Sequence, residues 1–431
     1  MLHIGPSIVL ALDLLEAYEY ARQNEATYST ALANYEAAKV NYPLAKSANR
    51  PAVNTGLGVR YDDDRTNFDG GDTQSSEYGQ GELFVDLNQN LYDRSINYDI
   101  ESAKVAVEIA ELQLGIAEEE LIISTISAYL NVLAALDNEN LAELELAANE
   151  NQLELATQRL EVGLGTRTDQ YDAKARFEGS NAELIAAQNE VINAQQELEA
   201  LMGRSLGGAP KDVVKSLDNE QVVIDLIKGD PWVAEVLPNN RAYRIALKQV
   251  DLQDIEVERS KDARIPSVGL YAGARAADSG ATAVLPGRDS QSWWVGARAS
   301  MPIYLGGSIK LRQEQAGYAQ NSAKYAAEQS RRDTDRLIRA ARRGVESLQR
   351  QTEARREAVV AGKSALESKE EGFKAGVTTN LIVLDAQRDL FRAGRDYFQA
   401  SYDVINAFII LERAAGELDA RDISLVNTWL K

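Results

Sequence analysis

The 431-residue chain has no cysteine, so disulfides and thiolate metal sites are excluded. The same absence leaves no N-terminal Cys to carry a lipid, and a non-acylated chain is expected. Its single histidine, His3, stands beside the terminus and reads as incidental rather than catalytic. Gly-rich phosphate loops are missing as well, so no catalytic residue, cofactor or metal is expected, and the chain does not read as an enzyme. Prolines number only nine, most of them outside the long periodic stretches, which leaves long helices uninterrupted. Basic residues are outnumbered, 46 Lys and Arg against 66 Asp and Glu, for a net charge of -20. Such a surface repels nucleic-acid phosphates and predicts that any internal cavity prefers cations. No run is read as approaching the roughly 18 apolar residues of a membrane-spanning helix. Met1 to Leu10 lacks a basic segment and a cleavage site, so it is not read as an intact signal peptide.

What is present is organised around a stretch that occurs twice. Leu160-Glu-Val-Gly163-Leu-Gly-Thr166-Arg-Thr-Asp169-Gln-Tyr-Asp172-Ala173 is answered by Phe373-Lys-Ala-Gly376-Val-Thr-Thr379-Asn-Leu-Ile382-Val-Leu-Asp385-Ala386. Gly163 and Gly376, Thr166 and Thr379, Asp172 and Asp385, Ala173 and Ala386, and Gly203 and Gly416 all stand 213 residues apart. One spacing without a gap indicates a duplicated unit. Each copy lies between helix-like segments. Its Gly ends one helix and its Thr starts the next, so each is the tip of an antiparallel helical hairpin.

The first repeat is expected over 12–203. It comprises a helix from Leu12 to about Ser47, strands at about 51–62 and 79–92, a long helix 94–160, a tip 161–168 and a helix 168–203. In the long helix Ile109, Leu112, Ile116, Ile123, Ile126, Leu130 and Leu133 follow a three-and-four spacing that only Glu119 breaks. Interspersed alanines let that helix touch neighbours on several sides. Residues 204–239, rich in Gly and Pro, read as a small mixed insert. The second repeat, 240–416, has a helix, strands at about 266–277 and 292–304, a long helix 308–371, a tip 372–380 and a helix 380–416. A short tail, 417–431, ends the chain.

Four strands of about nine to eleven residues with one apolar face match the reach of tilted transmembrane β-strands. An open sheet edge in lipid leaves backbone groups unpaired at several kcal/mol each, and four strands are too few to close a barrel. If these strands cross a bilayer, the barrel is shared between chains. Tyr61, Tyr78, Tyr92, Trp293 and Tyr304 at strand ends suit an aromatic girdle. The other reading is a sheet in water with ordinary aromatic packing. The acidic stretch Asp62 to Asp72 lacks the sixth-position Gly and terminal Glu of a calcium loop, and reads as a solvated loop.

Taken in order, Asn88-Gln-Asn-Leu-Tyr-Asp93, Ala128-Tyr-Leu-Asn-Val-Leu133, Arg159-Leu-Glu-Val-Gly163, Met301-Pro-Ile-Tyr-Leu-Gly-Gly307 and Leu384-Asp-Ala386 resemble the TolC-like outer-membrane efflux proteins, from about Leu12 to Leu425. The resemblance implies a mixed α and membrane β-barrel fold. Four strands per chain would form a homotrimeric 12-stranded barrel in the cell outer membrane, joined to a long periplasmic α-helical barrel, with 204–239 as a small equatorial insert. It further implies a passive exit duct of a tripartite efflux pump or type I secretion system, whose tip opens on docking to a periplasmic adaptor linked to an inner-membrane transporter. The rival is a periplasmic coiled-coil adaptor or structural scaffold.

The resemblance also assigns the tips. Asp385 aligns with a ring-forming aspartate of the pore constriction, and Ile382 occupies a second ring position, leaving that ring apolar. Asp169 matches an aspartate that makes closing contacts. Its usual arginine partner falls at Thr378 and an aromatic contact at Phe373, with Arg167 a possible substitute cation. Asp169, Asp172 and Asp385 also lie near helix starts, where the macrodipole alone favours an acid. Val162, Gly163 and Leu164, with Ala375, Gly376 and Val377, would meet the adaptor's hairpin.

Overall fold

The computed structural model describes residues 12–67, 70, 73–206, 217, 230–282 and 285–430. In chain order the elements begin with α1 (Leu14–Asn24), α2 (Ala26–Ser47), β1 (Ala52–Asn67), β2 (Thr73–Tyr92), α3 (Arg94–Glu161) and α4 (Arg167–Met202). They continue with α5 (Asp230–Val236), α6 (Arg241–Lys261), β3 (Ser267–Ser279), β4 (Arg288–Ser300), α7 (Ser308–Lys374), α8 (Asn380–Ala415) and α9 (Ala420–Thr428). The single helix expected over Leu12 to Ser47 is broken at Glu25. Its backbone turns extended, and its carboxylate accepts from the Tyr28 N–H at 2.5 Å. Most of the insert expected at 204–239 lies outside the described residues.

Contacts divide the chain into two units. The sheet unit, Asn34–Glu111 with Ala246–Ala327, holds four antiparallel strands in the order β1-β2-β3-β4. Val53, Leu57, Val59, Leu83, Val85, Leu270, Trp293 and Val295 share one face by register, and that face is open: Leu57 is 78% exposed and Trp293 80%. Asn54, Arg60, Glu82, Asp86, Arg275 and Arg298 share the other face. There Phe84, Trp294 and Tyr271 lie across Gly56, Gly273 and Gly296 on the neighbouring strand, where a Cβ would meet the rings. The strands run further than expected. The presumed loop from Asp62 continues as ladder, with Asp62 opposite Tyr78 and Asn67 opposite Thr73, beyond the last β2–β3 pair at Gln80 and Ser279. A two-stranded ribbon is wet on both faces, so its acids cost nothing and its backbone bonds still form. The fourth strand stops earlier than expected, at Ser300, before the exposed Ile303 and Tyr304. Polar contacts join α6 to the helices beside it. Lys248 Nζ sits 2.7 Å from Glu108 Oε2, Arg259 pairs with Asp99, and Gln320 Nε2 donates to Asp254 Oδ1 at 2.6 Å.

The second unit comprises the described parts of Met1–Ala33, Leu112–Ile245 and Glu328–Lys431. Here α3 is apolar on more than the expected seam. Leu121, Ile122, Tyr129 and Val132 are buried along with Ile126, Leu130 and Leu133. They pack with Leu14 and Tyr18 of α1, Leu198 and Met202 of α4, and Ile405 and Ile409 of α8. Tyr129 Oη donates to the Leu12 carbonyl at 2.9 Å. This crowding corrects the expectation about membrane-length runs. An 18-residue window of α3 has mean hydropathy 1.3, enough to cross a membrane by composition, and 61% of it is buried inside the chain. The tail forms α9, whose Ile423 and Val426 join the same core. Val233 and Val236 of α5 pack on Ile338 and Val345 of α7 and Leu411 of α8.

Glu119, the break in the seam, is buried and pairs with Arg241. A Cβ at Gly115 would lie 2.5 Å from Arg241 Nε, so the glycine one turn earlier leaves the path that Arg241 takes across α3. Burial holds the Glu119 carboxyl above its ordinary range despite that partner. Asp137 is likewise raised by burial, and Tyr402 Oη donates to its Oδ2 at 2.5 Å.

Gly115→Ala displaces Arg241 and strips Glu119 of its partner, with an expected loss of about 3 kcal/mol. Adding Glu119→Gln recovers part of it, as thermal denaturation of the single and double variants in detergent would measure. For Asp137, a folded pKa above the unfolded value means that the native state binds more protons. Its contribution therefore falls as pH rises from 3.8 toward the raised value. Asp137→Asn keeps an acceptor for Tyr402, so its melting temperature should gain on the wild type as pH rises through that window.

Candidate functional site

The two hairpin tips end their first helices in the same way. Leu164 N–H donates to the Arg159 carbonyl at 2.8 Å and Gly163 N–H to that of Leu160 at 3.1 Å. Val377 N–H donates to the Gly372 carbonyl at 2.9 Å and Gly376 N–H to that of Phe373 at 3.1 Å. This is the Schellman pattern, which places the glycine in the left-handed region, with φ 75° at Gly163 and 74° at Gly376. Nothing lies within 4 Å of a Cβ built on either glycine, so conformation, not crowding, requires them. The turns leave Val162, Leu164 and Val377 exposed, with Ala375 beside them. Open backbone flanked by apolar side chains gives a partner close approach.

The starts of the second helices differ. Thr166 caps α4 in a reciprocal box: its N–H and Oγ1 donate to Asp169 Oδ2 at 3.0 and 2.7 Å, and Asp169 N–H donates back to Thr166 Oγ1 at 3.1 Å. Asp169 is thus engaged within its own turn. Thr379 occupies the same place before α8 but makes no capping bond. Thr378 closes its turn, with Oγ1 donating to the Lys369 carbonyl at 3.3 Å. Phe373 lies under the Arg159 guanidinium, 4.5 Å from the ring centre.

Asp385, the candidate ring acid, is paired within the chain. Arg176 Nη2 on α4 donates to its Oδ1 at 2.6 Å, and Arg388 Nη1 lies 3.6 Å away on the next turn of α8. The carboxylate stays 43% exposed, so it joins the two hairpins and still faces solvent. Arg167 is exposed and makes no ion pair among the described residues; the cations that reach the second hairpin from the first are Arg176, on Asp385, and Arg159, on Phe373. Asp172 is half-buried without an ion pair among the described residues, and Ile382 is 39% exposed. Sequence reasoning passed over Arg176, Arg159 and Asn380. Arg176 stands one helical turn after Asp172, and Asp172 answers Asp385 in the repeat, which was the available signal.

Comparison with known proteins agrees with this architecture. The model of the family described as outer membrane efflux protein matches residues 17–204 and 232–417. The outer membrane protein TolC of Vibrio cholerae serotype O1 is 28% identical over 429 residues, covering 99% of this chain and 95% of that one. The alkaline protease secretion protein AprF of Pseudomonas aeruginosa is 26% identical, covering 96% and 87%. The solved structure of VceC, an outer membrane protein from Vibrio cholerae, superposes with a TM-score of 0.75 at 18% identity, over 94% of this chain and 96% of that one. With the duplicated hairpins, the four-stranded sheet and the matched stretches in accord, the chain belongs to the outer membrane efflux protein family.

Proposed function

We propose that this protein is a passive outer-membrane exit duct serving a tripartite efflux pump, a type I secretion system or both. The observation that carries the reading is the four-stranded sheet, with one face apolar and open and with β1 and β4 each unpaired along one edge. Such edges cannot stand in lipid, so the sheet is completed by other copies. Three copies supply twelve strands, and the exposed Met301, Ile303, Tyr304 and Leu305 after β4 suit a neighbouring chain. Relatives named for protein secretion and for efflux support both substrate classes. The apolar face meets the lipid and the polar face lines the lumen.

The helical hairpins form the periplasmic part, and each of the two repeats, 12–203 and 240–416, contributes one hairpin to it and two strands to the barrel. The tips, through Val162, Gly163, Leu164, Ala375, Gly376 and Val377, take a periplasmic adaptor coupled to an inner-membrane transporter. Asp385 lines the constriction, and Arg176 tempers its charge. Asp169 acts by fixing the first tip's shape, Thr378 does so for the second, and Ile382 and Phe373 supply apolar contacts. Asp172 and Arg167 add opposite charges beside the opening. Acidic groups around a narrow pore favour cations.

Light scattering in detergent should give three copies per particle, and planar bilayers a small, cation-selective conductance. A monomer that disperses without detergent would instead support a scaffold. Removing the counter-charge with Arg176→Ala should raise the cation-to-anion permeability ratio, and Asp385→Ala should lower it, each by roughly twofold to fivefold. An unchanged ratio in both variants would take this pair out of the pore lining.

A further inference from the structure

Between the two tips lies a cavity of about 160 Å³ lined by Leu155, Ala156, Arg159, Leu164, Phe373 and Asn380, among others. Three observations there are independent of one another. First, α8 begins at this cavity without a side-chain cap: the Ile382 N–H turns back to the Thr379 carbonyl at 3.1 Å, and the amide N–H groups before it have no side-chain acceptor, whereas Thr166 Oγ1 takes the Asp169 N–H of α4. Second, Asn380 is only 7% exposed, and its Oδ1 has no hydrogen-bond partner. A buried polar atom in that state asks for a donor. Third, the Arg159 guanidinium rests on Phe373 and pairs with no carboxylate among the described residues.

The wall therefore offers donors from α8 and Arg159 together with an unmet acceptor from Asn380, while the Asp169 carboxylate at the rim already accepts from Thr166 through Oδ2. Its formal charges balance, since Arg159 faces the rim that Asp169 also lines. A carboxylate would satisfy the donors and leave Asn380 Oδ1 unmet, and an ammonium would do the reverse. A neutral amide meets both: its carbonyl accepts from the helix start or Arg159, and its N–H donates to Asn380 Oδ1. Leu155, Ala156, Leu164 and Phe373 provide an apolar sleeve for a short stem. The exposed Val162 and Val377 at the two turns mark the surrounding surface as one that a partner covers.

We infer that this cavity takes a side-chain amide, Asn or Gln, presented by the tip of the docking partner's helical hairpin. The inference rests on the adaptor-docking reading above and names the chemistry that it uses. No bond is made or broken, so recognition is by shape and hydrogen bonding alone.

The test is ligand-observed NMR on the full chain in detergent, with propionamide, N-methylacetamide, propionate and propylammonium as probes and conductance recorded on the same preparation. Propionamide should bind saturably in the millimolar range and ahead of the other three. Asn380→Leu should weaken it about tenfold or more, since the acceptor is gone. Ala156→Leu fills the space while keeping the amide of Asn380, and should abolish binding too, which guards against a misfolded first variant. Equal or tighter binding of propionate or propylammonium would overturn the proposal, as would propionamide binding that survives in both variants or no binding of any probe. Preferred binding of N-methylacetamide would assign the cavity to a main-chain peptide and overturn the side-chain reading. A channel that conducts but binds no amide removes this inference alone, whereas a chain that conducts nothing removes the duct.

Discussion

Backbone polar groups must be paired wherever water is absent, and the sheet of this chain leaves two edges that it cannot pair itself. Its apolar face, with Leu57, Val59, Trp293 and Val295 open, would be an aggregation hazard in water. The same face is well matched to hydrocarbon, provided that neighbouring copies take up β1 and β4. That single requirement links the alternation of the strands to membrane insertion and oligomerisation. On the polar face, Phe84, Trp294 and Tyr271 lie across glycines of the neighbouring strands.

The helical unit solves a different problem. A helix that neighbours touch on several sides cannot follow a single seam, and α3 accordingly buries Leu121, Ile122, Tyr129 and Val132 in addition to its heptad positions. The few charges admitted to this interior are compensated: Glu119 by Arg241, which Gly115 leaves room for, and Asp137 by the Tyr402 hydroxyl. Glu145, also buried, lies 2.9 Å from Arg395 Nη1. Removing one partner of such a buried pair is costly, because the charge left behind is uncompensated.

At the tips the two repeats share a backbone but not a chemistry. Both hairpins close through a left-handed glycine with the same two hydrogen bonds. One start is then capped by Thr166 in a reciprocal box with Asp169, and the other has no side-chain cap, with Asn380 Oδ1 unsatisfied beside it. Duplication supplied the scaffold, and divergence at Asp169 and Asn380 made its two halves unequal. The pairing of Arg176 with Asp385 crosses between them.

Much of this was legible in the residues alone. The 213-residue repeat, the glycine and threonine of each tip, and the alternating strands all follow from local turn chemistry and periodicity, which act within a few residues and need no tertiary context. The acidic ribbon beyond Asp62 was misread as a loop, because composition reports solvent exposure and not whether two exposed strands pair. The tail helix and the break at Glu25 were missed for a similar reason, since short helices depend on what they pack against or cap. Which side chains meet across helices was decided only by the fold. Arg176 reaches Asp385 where Arg167 does not, and Arg159 meets Phe373, because such encounters depend on each helix's rotation and axial offset. Those are set by the packing of whole faces, and no spacing along a single chain encodes them.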